Sequence, residues 1–306
     1  MQEFYPEGGF LEQEQNGWYM SSAAAMEEAM QENIILEARA VLCDHEHNLI
    51  VDLGFGRGII PRLEGALGVA EGNTRDIAMI SRVGKPVCFV VTRMQKRADG
   101  LFTPILSRRA AQSICMKEYV SRLVPGDVIP GRVTHLENFG CFVDIGCGIP
   151  SLLPIDQTSV SRIAHPSDRF RPGQEIFAVV KSVSEGRIAL SHKELLGTWE
   201  ENAALFRPGE TVAGIIRSVE EYGVFVELTP NLAGLAEPFP GVRIGQHTSV
   251  YIKSIVPDKM KIKLIIVDAF DAKYPTKKPE YFITDGHIDR WVYSTPGSGR
   301  IIETIF

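Results

Sequence analysis

Short runs of β-branched and aromatic residues, bounded by Gly, Pro, Asn or Asp, recur through the middle of this chain and read as strands. Five of them, 128–136, 140–145, 151–155, 175–183 and 187–191, fall within residues 121–196. Strands this short and this closely spaced predict a small closed barrel, because an open sheet would leave its edges unpaired. Upstream, residues 34–42 alternate as another strand, with Ile35, Glu37 and Arg39 on one side and Leu36, Ala38 and Ala40 on the other. The first forty residues hold a predicted helix, with Ser21 or Ser22 as N-cap and Ala23, Met26 and Met30 along one face. A second helix is predicted over 194–206, carrying Leu196, Trp199 and Leu205.

The barrel pattern is repeated. Pro125-Gly126-Asp127-Val128-Ile129-Pro130-Gly131 opens one copy, and Pro208-Gly209-Glu210-Thr211-Val212-Ala213-Gly214 opens another 83 residues later (125 to 208). Eight residues past each closing glycine (131 to 139, 214 to 222) stands Phe139-Gly140-Cys141-Phe142-Val143-Asp144, then Tyr222-Gly223-Val224-Phe225-Val226-Glu227. A period this long indicates tandem small domains and not a solenoid. The later copy is shorter after its third strand, since Gly140 to Gly173 spans 33 residues and Gly223 to Gly245 spans 22.

A degenerate earlier copy precedes both. Leu49-Ile50-Val51-Asp52-Leu53-Gly54 matches Phe142-Val143-Asp144-Ile145-Gly146 in its later residues, and Leu106-Ser107-Arg108-Arg109 parallels Leu190-Ser191-His192-Lys193. In place of the aromatic element it has His45-Glu46-His47-Asn48, so it is expected to keep the fold and lose the surface. The expected organisation is an acidic helical arm at 1–33, a degenerate module at 34–114, modules at 121–196 and 207–268, and a C-terminal extension at 269–306. In that extension Tyr274, Tyr281, Phe282, Trp291, Tyr293, Lys277 and Lys278 lie among turns. It reads first as a β-extension packed on the last module.

Charge qualifies what such modules can bind. The net charge is −6, but residues 1–40 hold eight acids and a single base, Arg39, which leaves the rest near neutral. A nearly neutral body holds polyanions weakly through charge alone. Any nucleic acid bound here must be held by stacking and local cation clusters. Cys43, Cys88, Cys115, Cys141 and Cys147 are scattered without a CxxC pair, which fits reduced thiols and no zinc site. The acidic, polar N-terminus has no leader pattern, and no apolar run reaches the ~18 residues of a membrane span. A cytoplasmic location is expected.

Two aromatic rings three apart in an unbroken strand face opposite sides. A glycine between them permits a bulge that turns both to one face, forming a platform on which bases stack. The alternative is that Phe139 and Phe142 are core residues of a half-buried strand. Recurrence as Tyr222 and Phe225 favours the platform, since a buried tyrosine hydroxyl needs a partner whereas a stacking ring does not. Arg187 heads the last strand and is the natural phosphate partner, with Arg132, Lys181 and Lys193 as further candidates.

The ordered motifs Pro-Gly-x-x-x-x-Gly, aromatic-Gly-x-Phe-Val-acid, Arg-Pro-Gly-Gln and Gly-Arg-Ile-x-Leu-Ser resemble the S-one RNA-binding domain, an OB-fold module. The resemblance covers about residues 38–268 and implies an all-β chain of tandem five-stranded OB-fold barrels with short helical linkers. It carries an RNA-binding role over to Phe139, Phe142 and Arg187 in the second module, and to Tyr222, Phe225, Asp258 and Lys261 in the third. The family's strand-three histidine is replaced by Pro154 and Glu237, and its late aspartate is missing from the second module. The implied function is non-catalytic binding of single-stranded RNA, mRNA above all, in translation at the small ribosomal subunit. No cofactor, metal or small-molecule substrate is implied.

An enzyme is disfavoured by the lack of a phosphate loop, a nucleophile elbow or a His-Glu-x-x-His motif. Asp44-His45-Glu46-His47 could suggest a metal site, but four adjacent loop residues point in different directions, and a solvated turn is expected. The other reading is a protein-interaction adaptor, or an accessory factor in RNA decay or transcription, built on degenerate modules.

Overall fold

In the computed structural model, which describes residues 3–306 other than 185, 273 and 275–277, fifteen strands close into three barrels of identical topology. The first comprises β1 (Leu36–Cys43), β2 (Leu49–Asp52), β3 (Arg57–Ile60), β4 (Pro86–Lys96) and β5 (Phe102–Ser107). The second comprises β6 (Val128–Glu137), β7 (Gly140–Asp144), β8 (Pro150–Pro154), β9 (Glu175–Ser184) and β10 (Arg187–Ser191). The third comprises β11 (Thr211–Glu220), β12 (Gly223–Thr229), β13 (Leu232–Ala236), β14 (His247–Val256) and β15 (Lys261–Phe270).

In each barrel the neighbours run first, second, third, fifth, fourth, with the fourth strand closing on the first. Third and fifth strands pair in parallel, at Ile59 with Ile105, Leu152 with Ala189 and Leu235 with Lys263. This is the five-stranded OB-type barrel, and the chain is all-β in class.

The chain divides into two compact units, residues 1–123 with 130–132 and 144–150, and residues 124–129, 133–143 and 151–306. In the first, helix α1 (Glu14–Tyr19) and helix α2 (Ala23–Glu32) precede the barrel. Ser22 caps α2 by accepting a hydrogen bond from the Ala25 amide, and Met26 and Ala29 pack into the barrel core beside Leu36, Leu49, Val51, Phe89 and Leu106. Short helix α3 (Ile77–Ile80) lies in the β3–β4 connection, and helix α4 (Arg108–Glu118) follows β5. The sequence pattern gave no sign of α4. Its buried face is Arg108, Ala111, Gln112 and Cys115, which is not an apolar stripe. The Asp44–His47 segment is a turn in which the Asp44 carboxylate accepts from the Glu46 and Asn48 amides.

Polar groups hold the first unit together from inside. Glu7 is buried and takes both Arg108 (Nε 2.6 Å, Nη2 3.1 Å) and Arg82 (Nη1 2.9 Å). Asp144 is also buried and accepts from the amides of Glu7, Gly146 and Gly148. Arg132 lies against Gly8 of the arm, where a β-carbon would meet its guanidinium.

In the second unit the long β8–β9 connection docks on the third barrel. The Val160 and Ser161 amides donate to Asn231 Oδ1 and the Pro230 carbonyl, Arg169 pairs with Glu227 at 2.6 Å, and Asp168 pairs with Arg217 at 3.0 Å. At 155–174 this connection is ten residues longer than its counterpart at 237–246, and the added length forms part of a brace. The helix predicted over 194–206 is broken. A 3-10 turn (Lys193–Leu196) ends at Gly197, whose φ of 81° suits glycine, and Thr198 starts helix α5 (Trp199–Ala203) afresh with a capping box to Glu201. Strands β16 (Arg290–Val292) and β17 (Glu303–Ile305) pair in the extension, and Trp291 and Tyr293 join the third-barrel core. Lys277 lies outside the described residues, and Tyr274 is exposed.

Tyr281 ties the extension to the second barrel. Its hydroxyl accepts from the Phe177 amide and donates to Nε2 of buried His192, whose Nδ1 donates to the Thr158 carbonyl. That pattern fits a neutral ring, and burial holds the His192 pKa down to about 4. An unfolded chain takes up the proton nearer ~6.5, so this group destabilises the fold progressively as pH falls through that window. The second unit is expected to lose about 3 kcal/mol of stability between pH ~6.5 and ~4 on this account. Urea denaturation followed by the fluorescence of buried Trp199 and Trp291 checks it. The loss must be smaller in His192→Gln, and equal losses in both proteins would refute the assignment.

Candidate nucleic-acid interface

The aromatic pair is built on the hairpin that joins the first two strands of a barrel. Phe139 and Tyr222 occupy the turn just before β7 and β12, while Phe142 and Phe225 are outward-facing residues within those strands. Their inward neighbours are Cys141 and Val143, and Val224 and Val226. Phe139 is 55% and Tyr222 67% exposed, so neither belongs to the core. In both modules the ring centroids are 6.2 Å apart at an interplanar angle of 89°. Two copies of one sequence element thus produce one geometry twice.

The rings share a face for a reason other than a bulge at the glycine. The first ring leaves from the turn, where strand alternation does not apply. The glycine is needed because the neighbouring strand passes close by: a β-carbon on Gly140 would lie 2.4 Å from the Leu153 carbonyl oxygen, and one on Gly223 2.5 Å from that of Ala236. In the third barrel the bulge lies on the partner strand, where Arg217 is the extra residue between Ile216 and Ser218 of β11.

The acid of the repeated element is structural in every copy. Asp52 accepts from the Gly54 amide, Asp144 is buried among amides, and Glu227 is held by Arg169 and Arg217. Glu227 lies on the same outward face as Phe225, but two guanidinium groups offset its charge.

The remaining site residues are more spread out. Arg187 and Lys261 head β10 and β15 and are exposed. Phe225 pairs with Leu235, which pairs with Lys263, so Lys263 and not Lys261 stands level with the ring pair. Lys261 lies two residues further from the Tyr222 turn. In the second barrel the same position is Ala189, beside Leu152, with Arg187 displaced likewise. Asp258 sits on the Pro257–Lys259 turn, where Gly297 of the extension approaches its carboxylate. Exposed Glu237 and half-buried Pro154 follow or end the third strands, at the Tyr222 and Phe139 ends of their barrels. Lys193 is half-buried and Lys181 exposed. In the first barrel the corresponding row is Ile50, Ile59 and Ile105. An aliphatic row cannot stack bases. Lys263 was missed from sequence because only the parallel β13–β15 register reveals its place.

Residues 123–193, which include all five strands of the second barrel, match the family model described as the S1 (S-one) RNA binding domain. That segment is an S1 RNA-binding domain. Curated relatives extend this beyond the S1 domain itself. The small ribosomal subunit protein bS1 homolog of Bacillus cereus is 30% identical over 247 residues, 75% of this chain and 62% of that protein. The bS1 homolog of Bacillus subtilis is 32% identical over 230 residues, 72% of this chain and 56% of the relative. The matched region thus spans about three fifths of these relatives. Among solved structures, a multidomain protein with nucleic acid binding domains from Streptococcus pneumoniae covers 76% of this chain at 14% identity. That match covers 73% of its own length with a TM-score of 0.26, so the barrel assignment rests on the strand pairing above.

Proposed function

We propose that this chain is a non-catalytic binder of single-stranded RNA, acting on mRNA in the cytoplasm and supporting translation at the small ribosomal subunit. The observation that carries the reading is the edge-to-face aromatic pair, its first ring exposed and its second half-buried, held in the same geometry on two barrels. Each ring offers a face to an unpaired base, and stacking of that kind is worth about 1–3 kcal/mol per base regardless of sequence. A duplex keeps its bases stacked on one another and has none to offer. The names of the curated relatives, all small-subunit ribosomal proteins, support the setting.

Fluorescence anisotropy with a labelled single-stranded RNA and with the same strand in a duplex tests this directly. Micromolar or tighter binding is expected for the single strand and much weaker binding for the duplex. Equal binding of both, or of neither, would remove the reading. A protein-binding role for the first barrel is favoured by its aliphatic Ile50–Ile59–Ile105 row, which replaces the stacking surface.

A further inference from the structure

Two lysines that the aromatic motif does not include occupy equivalent places in the second and third barrels. The fourth strand of each barrel carries a one-residue irregularity opposite the fifth. In β9 it falls between Val180, paired with Leu190, and Ser182, paired with Ala189, so Lys181 is the extra residue. In β14 it falls between Ile252, paired with Leu264, and Ser254, paired with Lys263, so Lys253 is the extra residue. The local sequences agree, Lys181-Ser182-Val183 and Lys253-Ser254-Ile255. At such a bulge two residues oppose one partner, here Ala189 or Lys263, the outward residue level with the aromatic pair. Both lysines are exposed, and neither has an ion-pair or hydrogen-bond partner among the described residues.

The register places each lysine on the platform's own row. In the third barrel the row runs Phe225, Leu235, Lys263, then Lys253 with Ser254. In the second it runs Phe142, Leu152, Ala189, then Lys181 with Ser182, because Gly140 sits under Leu153 as Gly223 sits under Ala236. Three strand spacings separate ring from lysine, about 14 Å along the surface. A chain crossing the strands in that direction meets an aromatic ring first and an ammonium last.

Taking the RNA-binding reading as its basis, we infer that Lys181 and Lys253 are phosphodiester-binding residues. Each holds the RNA backbone at the far side of its barrel from the aromatic pair. The row fixes the path of the strand across β7, β8, β10 and β9, and across β12, β13, β15 and β14. The first barrel has Thr92 at the corresponding bulge, consistent with its lack of the aromatic pair.

The test is the salt dependence of binding to a labelled single-stranded oligouridylate, measured by anisotropy for the full chain. Each phosphate contact to a single strand contributes about 0.7 to the slope of log affinity against log salt. The double variant Lys181→Ala, Lys253→Ala is expected to lower that slope by about 1.4, so its deficit relative to the native protein shrinks about sevenfold between about 50 and 200 mM salt. The double Lys→Arg variant should keep the native slope. Lys117→Ala, an exposed lysine on α4, should leave it unchanged. An unaltered slope in the double Ala variant, or an equal fall in Lys117→Ala, would overturn the assignment while leaving RNA binding intact. Failure of the native protein to bind would instead remove the RNA reading on which it rests.

Discussion

Replacing Arg108 with alanine is expected to destabilise the first unit by about 3–5 kcal/mol, the cost of breaking a buried ion pair by deleting one partner. Arg108 and Glu7 are 3% and 4% exposed and meet through two hydrogen bonds. Burial alone would raise the Glu7 pKa, but Arg108, with Arg82 assisting, holds it below the usual carboxylate value. Without Arg108 the carboxylate keeps only the Arg82 ion pair and the Cys88 amide hydrogen bond, in a site almost closed to water. The pH dependence follows from the sign of that shift. A lowered folded-state pKa gives stability that is present above the unfolded value and is lost as pH falls through the folded one. The gap between native and variant should therefore narrow in acid. Replacing both partners, as Glu7→Gln with Arg108→Met, should cost less than Arg108→Ala, because the fully buried carboxylate is then gone and only Arg82, which reaches water at its edge, loses an ion partner. Urea denaturation with hydrogen exchange across Leu36–Cys43 measures this, and a loss below about 1 kcal/mol would refute it.

The second large effect concerns binding. Changing Phe139 and Phe142 together to alanine is expected to weaken single-stranded RNA binding by about 2–6 kcal/mol, one stacked base for each ring. The fold should survive, because Phe139 is mostly exposed and Phe142 points away from the core formed by Cys141 and Val143. The salt slope should stay unchanged, since stacking releases no counterions. Anisotropy and thermal unfolding on the same preparation separate the outcomes. If the protein melts early and binding falls only in proportion, the rings are packing residues and the platform reading fails.

Much of this was legible in the sequence. Turn glycines and β-branched runs located the five strands of the second barrel, because those runs are bounded by residues that favour turns. The repeated Phe-Gly-x-Phe element pointed to the ring pairs, although the geometry arises from the hairpin turn and not from a bulge at Gly140. What could not be read depends on distant pairing. The acid following Phe-Val is structural, which Asp144 and Glu227 reveal only through their partners. Lys181 was a candidate from sequence, but its place on the row, and any role at all for Lys253 and Lys263, come from strand register, which no local pattern encodes. Helix α4 escaped notice because its inward face is built around Arg108 and Gln112. The helix expected over 194–206 is interrupted because Gly197 adopts a positive φ and the Phe282 ring occupies the space where a side chain would stand.

The central claim, that RNA lies on the aromatic pairs of the second and third barrels, is tested most directly by zero-length photocrosslinking of a single-stranded RNA to the full chain, followed by peptide sequencing. Crosslinks are expected in the peptides carrying Phe139 and Phe142 and those carrying Tyr222 and Phe225, with none around Ile50 and Ile59. Crosslinks confined to the first barrel, or spread without regard to the aromatic pairs, would contradict the account.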